Sequence, residues 1–371
     1  MDKSEVALAL DRQSTGAPEW DGWKTNVDIK IQVPLCKKCS EGTEKTFTVP
    51  DLAYRPLVSV IRAAFTDPVS QWFHLTPFKH IWKSPVTGRE QRLYDELYTS
   101  DAWNKAHNDL QKQQREDSLE RVIAGLMFWS DGTHLAQFGH ATAWPVYLFF
   151  GNLSKYKCAS ASSGLCHPVA FIPSVSLCPV DKHTDLLTHC KHELFHAVWK
   201  IILDDEFVKA YKNGIVIKCH DGVLRHVFPW IFTYSADYPE KVLIATICDK
   251  GLYPCPRCLL PKSSFHRLGS LSDLKRQLSY ARTYLREMVC AARHKIYELG
   301  NPIKGTNAFA ERLTPFGFNI YPVLVMDLMH SFTTGNLSFI AHFSTRNICI
   351  ATVLILPPPS LPSWWSSSML T

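Results

Sequence analysis

No stretch of this 371-residue chain stays apolar for the roughly 20 residues that a membrane-spanning helix needs. The longest late apolar stretch, residues 348–356, falls far short. The opening Met1-Asp2-Lys3-Ser4-Glu5 leads into no apolar run of the secretory kind. These absences predict a soluble, intracellular chain with no membrane partner. A strong charge of one sign is also missing. The 40 Lys and Arg against 34 Asp and Glu leave a formal +6, which permits contact with nucleic acid without requiring it. No internal repeat is visible, which argues against a solenoid. What is present is a 46% hydrophobic content, enough for one large domain or two ordinary ones. The 12 cysteines, in a reducing compartment, read as thiols or metal ligands rather than a disulfide framework.

Residues 1–50 are mixed and polar, reading as a variable, disordered N-terminus, with a lone Cys36-Lys37-Lys38-Cys39. Residues 51–120 read as a helical region. Leu57, Val60, Ile61 and Phe65 recur at three- and four-residue spacings, and residues 103–120 are good helix formers. At Arg121 the character changes. Apolar runs at 122–129, 144–150 and 169–172, separated by Gly, Asn, Ser and Pro, predict a strand meander. Residues 185–211 then predict one amphipathic helix, with Leu187, Cys190, Leu194, Val198 and Ile201 on its stripe. Residues 227–234 predict a further strand. A long helix is expected over residues 272–299, capped by Ser272 and stopped by Gly300. Its basic residues, Arg276 and Arg286 among them, are either a solvated face or a DNA-tracking one.

Four constellations could carry chemistry. Asp131 and Asp237 each stand where an apolar run stops. Aspartates at the ends of neighbouring strands can bracket a pair of Mg²⁺ ions; the bland alternative makes them turn residues. Three strands, a helix and a strand also match the early part of a ribonuclease-H-like fold. Second, His192-Glu193-Leu194-Phe195-His196 is an H-E-x-x-H on a predicted helix, the pattern of a zinc metalloprotease. It lacks a third ligand, since position 202 is Ile and Asp221 is a weak substitute; a core-facing helix is the competing account. Third, Cys255-Pro256-Arg257-Cys258 is half of a tetrahedral Zn²⁺ site, with Cys248, His266 or the pair Cys219 and His220 as candidate partners. Fourth, residues 325–330 are an apolar run ending in Asp327-x-x-His330, which could add a strand-end carboxylate or a histidine ligand.

Several blocks carry a resemblance. Phe128-Trp-Ser-Asp131-Gly-Thr-His-Leu-Ala-Gln-Phe-Gly139 and Trp144-Pro-Val-Tyr-Leu-Phe-Phe-Gly-Asn-Leu-Ser-Lys155 come first. Phe232-Thr-Tyr-Ser-Ala-Asp237-Tyr-Pro-Glu-Lys241 and Asp249-Lys-Gly-Leu-Tyr-Pro-Cys-Pro-Arg-Cys258 follow. Then come Asn307-Ala-Phe-Ala-Glu-Arg-Leu-Thr-Pro-Phe-Gly-Phe318 and Asp327-Leu-Met-His330. In this order they resemble the Plavaka-type transposases of fungal DNA transposons, grouped with the Kyakuja–Dileera–Zisupton superfamily, over residues 51–343. The resemblance implies an α/β, ribonuclease-H-like mixed-sheet core over residues 121–345. It also implies a helical N-terminal region, a Cys-containing helical insertion at 248–310 and a tail at 346–371 outside the family pattern. Mg²⁺ or Mn²⁺ would be the cofactor, Asp131 and Asp237 the first two catalytic acids, and Zn²⁺ a candidate second metal. Transposon DNA and another transposase copy are the implied partners, and the nucleus the implied location. The chain departs from the family where Glu-Phe-Glu-Leu-Gly usually follows the Asp-x-x-His element. It has Ser331-Phe332-Thr333-Thr334-Gly335 there, and no third catalytic acid is found. The expectation is a truncated, catalytically incomplete copy, with a non-catalytic DNA-binding protein as the other alternative.

Overall fold

The structure, a computed structural model, describes residues 22–33, 45–114, 118–134, 142–160, 163–173, 184–247, 251–267, 270–283 and 307–326. Its elements in chain order begin with β1 (Lys24–Val33), β2 (Lys45–Tyr54), α1 (Leu57–Thr66), β3 (His80–Lys83), β4 (Glu90–Leu93) and α2 (Asp101–Lys112). The middle holds β5 (Glu120–Ser130), β6 (Thr133–His134), β7 (Thr142–Ala143), β8 (Pro145–Phe150) and β9 (His167–Phe171). Then come α3 (Thr184–Ile202), α4 (Asp205–Asn213), β10 (Ile215–Lys218), β11 (Leu224–Ala236), α5 (Tyr238–Ile244), α6 (Leu271–Ser279), α7 (Ala308–Leu313) and β12 (Leu324–Met326).

The apolar run that opens at Val122 offers no polar face, so a strand formed from it must be covered on both sides. β5 is that strand, buried from Arg121 to Phe128. β5, β8 and β9 form an antiparallel meander. The chain then crosses over through α3 and α4 and returns on β11, parallel to β5, the kind of return that needs a crossover connection. The sheet order is β1-β2-β9-β8-β5-β11, and both β10 and β12 sit on the outer edge of β11. β10 pairs antiparallel with the start of β11, and β12 pairs parallel with its end, Ala236 opposite Met326.

Helices cover both faces. Trp103 of α2 lies against Gly125, where an added Cβ would come within 2.1 Å of the indole ring. Trp103 also stacks on Phe232 with ring centroids 4.9 Å apart. On the opposite face Trp199 of α3 packs against Phe128, Tyr234 and Phe309 at 4.6–5.5 Å. Phe232 and Tyr234, two residues apart on one strand, would ordinarily point the same way. A one-residue bulge at Phe232 separates them: Ile231 pairs with Leu126 but Thr233 with Met127.

Four expectations change. The polar residues 24–33 and 45–54 are strands of the main sheet, where β2 pairs with β9. Residues 51–120 are not all helical: residues 51–54 end β2, and β3 and β4 form a separate ribbon. The helix over 185–211 is two helices, because the Asp204 side chain accepts the Phe207 N–H at 2.8 Å and starts a second. The expected 272–299 helix is capped by Ser270 rather than Ser272 and ends at Ser279. Its end is turned back by hydrogen bonds from Leu259 N–H to the Tyr280 carbonyl and from Arg282 N–H to the Arg257 carbonyl. Residues 284–306 lie outside the described residues.

Candidate active site at the strand ends

β5 and β11 end side by side, and the bulge sets how they end. Below it Ile231 faces Leu126; above it Ser235 faces Trp129. Continued by two residues, the upper register puts Asp131 level with Asp237. The lower register would have placed Ala236 there instead. Bulges commonly re-aim side chains beside functional sites. Asp237 is fixed further as the N-cap of α5, its Oδ1 accepting the Glu240 N–H at 2.8 Å. That leaves Oδ2 for another partner. Asp131 is half-buried, beside the cross-strand pair of Trp129 and Tyr147, whose rings stack at 5.1 Å. The Tyr147 phenol is pushed up to about 12, mainly by burial, then by Cys166 and Asp131.

Beneath the aspartates lies a polar network that the sequence reading did not single out. The buried Tyr234 hydroxyl donates to Ser130 Oγ at 2.6 Å, and Ser130 in turn donates to Glu240 Oε1. The Glu240 carboxyl is pushed up to about 8, by burial first and then by the negative charges of Asp237 and Asp131, against the Ser130 hydrogen bond. It therefore carries its proton at neutral pH. The network ties the last residue of β5 to the first turn of α5, holding the two aspartate-bearing ends together. The signal for it was Glu240 three residues after Asp237, the spacing of an N-cap and the N3 position.

Two carboxylates at one sheet end match what a largely hydrated Mg²⁺ requires of a protein. Among the described residues, no group of three or more His, Cys, Asp or Glu side chains is arranged to hold a metal ion. Asp327 and His330 lie outside the described residues, just beyond Met326 at the end of β12.

The H-E-x-x-H residues do not form a zinc site. His196 is fully buried, its Nδ1 accepting the Ala308 N–H and its Nε2 donating to the Leu243 carbonyl, both at 3.2 Å. Both nitrogens are engaged, so neither lone pair is available to zinc. Burial holds the ring neutral, with its pKa lowered to about 4. Beside it Asn307 caps α7 and donates to the Ile244 carbonyl at 2.7 Å. His196 and Asn307 thus clasp α3, α5 and α7. His192 is buried on the same helix. Asp221, the weak third-ligand candidate, pairs with Arg225 at 2.7 Å instead.

At the cysteine turn, Cys255 Sγ accepts the Arg257 N–H at 3.4 Å. The Cys258 thiol donates to Cys255, holding Cys255 down to about 6 and Cys258 above its ordinary range. Arg282 closes the turn through the Cys255 and Tyr253 carbonyls. Cys219 is buried beside the Ile217 carbonyl in another part of the fold, 3.9 Å away. Cys36, Cys39 and Cys248 lie outside the described residues.

The family model described as Plavaka transposase matches residues 2–342 of the chain. No curated protein matches it.

Proposed function

Since the chain belongs to the Plavaka transposase family, we propose that it derives from an enzyme of metal-dependent DNA cleavage and strand transfer. Asp131 and Asp237 are the metal-holding acids on a ribonuclease-H-like core, and this copy is catalytically incomplete. The strand order supports the core: a meander of β5, β8 and β9, a helical crossover, and β11 parallel to β5. The observation that supports the site is the register above the Phe232 bulge, whose last pair, Ser235 opposite Trp129, stands two residues before each aspartate. A pair of bound divalent ions would supply activation of the attacking oxygen and stabilisation of the leaving one. The chain's part is to hold both carboxylates still. The N-cap bond fixes Asp237, and the Ser130–Glu240 bond fixes the end of β5. Incompleteness rests on Ser331 and Thr333, which stand where the family usually has glutamates. Transposon DNA in the nucleus is the proposed partner, with self-association as part of strand transfer.

Calorimetry with Mn²⁺ on the wild type, Asp131→Ala and Asp237→Ala tests the site. Binding by the wild type that both variants lose supports it. No binding by the folded wild type sinks the metal reading and leaves a non-catalytic DNA-binding relic, whose salt-sensitive DNA affinity would survive both substitutions.

A further inference from the structure

The β3–β4 ribbon stands outside the main sheet. Both faces of β3 are exposed, so Ile81 and Trp82 each leave about half their surface open, and Val86 at the turn is 91% exposed. A two-stranded ribbon is marginal on its own, yet this one is held firmly at its base. His80 pairs with Asp95 at 3.0 Å. The Arg92 guanidinium binds the carbonyls of His80, Leu93 and Thr99. Asn104 binds the Phe78 carbonyl, and the His74 N–H binds the Asn152 carbonyl. Next to this stem, half-exposed Trp72 carries Lys157 over its ring at 4.3 Å. A fixed frame thus presents open aromatic rings.

The cations and acids of the frame are segregated. Lys79 and Arg89 are exposed on the ribbon, whereas Lys83 pairs with Glu90 and the acids Asp95 and Asp101 stand at the base, paired with His80 and Arg92. Lys157 adds a further cation over Trp72. Exposed tryptophans set among cations fit a ligand with a polyanionic backbone and flat faces. Base stacking on aromatic side chains with cations along the backbone is how single strands are held. Bases inside a duplex offer no such face.

We propose that the β3–β4 ribbon, together with Trp72 and Lys157, is a contact surface for single-stranded DNA. Trp82 and Trp72 stack on unpaired bases, and Lys79 and Arg89 meet the phosphates. The surface draws on the family's DNA substrate but names none of the residues of the metal site: on β8 the residue level with Ser130, just before Asp131, is Val146, whereas the turn that carries Lys157 follows Phe150 at the other end of that strand.

The test is fluorescence anisotropy of a labelled oligothymidylate with the full chain, using a duplex as competitor. Trp82→Ala and Trp72→Ala should each weaken binding by roughly 5- to 150-fold, the range of one lost stack. Lys79→Glu and Arg89→Glu should flatten the dependence of log affinity on log salt. Wild-type affinity for the oligothymidylate should be the same in EDTA as in Mn²⁺, so a failed metal site and a failed surface are told apart. All the altered side chains are exposed or at a loop, and unchanged circular dichroism would confirm folding. Absence of oligothymidylate binding by the wild type, or tryptophan variants that bind normally, overturns the proposal. Tryptophan variants that instead abolish self-association in sedimentation, with DNA affinity intact, overturn it in favour of a protein interface.

Discussion

Replacing His196 by alanine should nearly unfold this protein, for reasons unrelated to zinc. The ring satisfies two buried backbone groups, the Leu243 carbonyl and the Ala308 N–H. Leaving each without a partner costs about 1–3 kcal/mol, and the emptied volume adds to that. A total of about 3–5 kcal/mol is a large share of the roughly 5–15 kcal/mol that holds a domain together. The neutral ring also makes a pH prediction. Its pKa is about 4 in the folded chain against an ordinary 6.5, so the unfolded chain binds the proton first. The contribution of His196 is complete above pH 6.5 and falls by about 3 kcal/mol as pH drops to 4. Urea titrations of wild type and His196→Ala from pH 4 to 7.5 should therefore differ in slope as well as in midpoint. His196→Gln, which keeps a donor and an acceptor, should recover part of the loss. Zinc should leave the wild-type midpoint unmoved. A stoichiometric zinc stabilisation lost in both His192→Ala and His196→Ala would refute the clasp and restore a metal site.

Glu240 should show the opposite pH dependence. Its carboxyl stands at about 8 against 4.5, so its cost to folding appears above pH 4.5 and is complete above 8, an upper bound of about 5 kcal/mol. Glu240→Gln should raise the urea midpoint at pH 8.5 relative to wild type and change it little at pH 4.5; equal effects at both would refute the buried neutral acid. Gly125→Val should cost more than 3 kcal/mol by thermal melting, because Trp103 occupies the space of the new side chain; a near-neutral melt would mean that α2 is loosely docked. Deleting Phe232 removes the bulge but keeps Thr233 opposite Met127, so the pairing that leads to Asp131 and Asp237 is unchanged and Mn²⁺ binding in the calorimeter should survive wherever the wild type binds; lost affinity would mean that the site depends on the bulge itself and not on the register.

The central sheet was legible because its strands are buried on both faces. The runs opening at Val122 and Val227 are apolar almost without interruption, and the turn residues between the meander strands are Gly, Asn, Ser and Pro. The N-terminal hairpin was not legible. β1 reads Lys-Thr-Asn-Val-Asp-Ile-Lys-Ile-Gln-Val, and only its second half alternates, with Ile29 and Ile31 buried at α3. Its polar first half belongs to an edge strand, where charge is normal. At the site, the two aspartates were visible as stops after apolar runs. The bulge that levels them was not, since an extra residue in one strand is defined only by its partner. His196 was ambiguous in sequence, because the H-E-x-x-H spacing puts two histidines on one helical face whether that face holds a metal or the carbonyl of a neighbouring helix; the core-facing account fits the burial of Leu194 and Val198.

The position of β12 bears on how the chain is made. Its partner edge, residues 234–236 of β11, is complete early, and β12 follows only after the excursion through α5, α6 and α7. With roughly 90 residues between them and synthesis at about 5–20 residues per second, that edge waits about 5–18 s for its partner on the ribosome. Throughout that interval the nascent chain offers open N–H and C=O groups beside the strand end bearing Asp237, where a second nascent copy can pair as readily as β12 will.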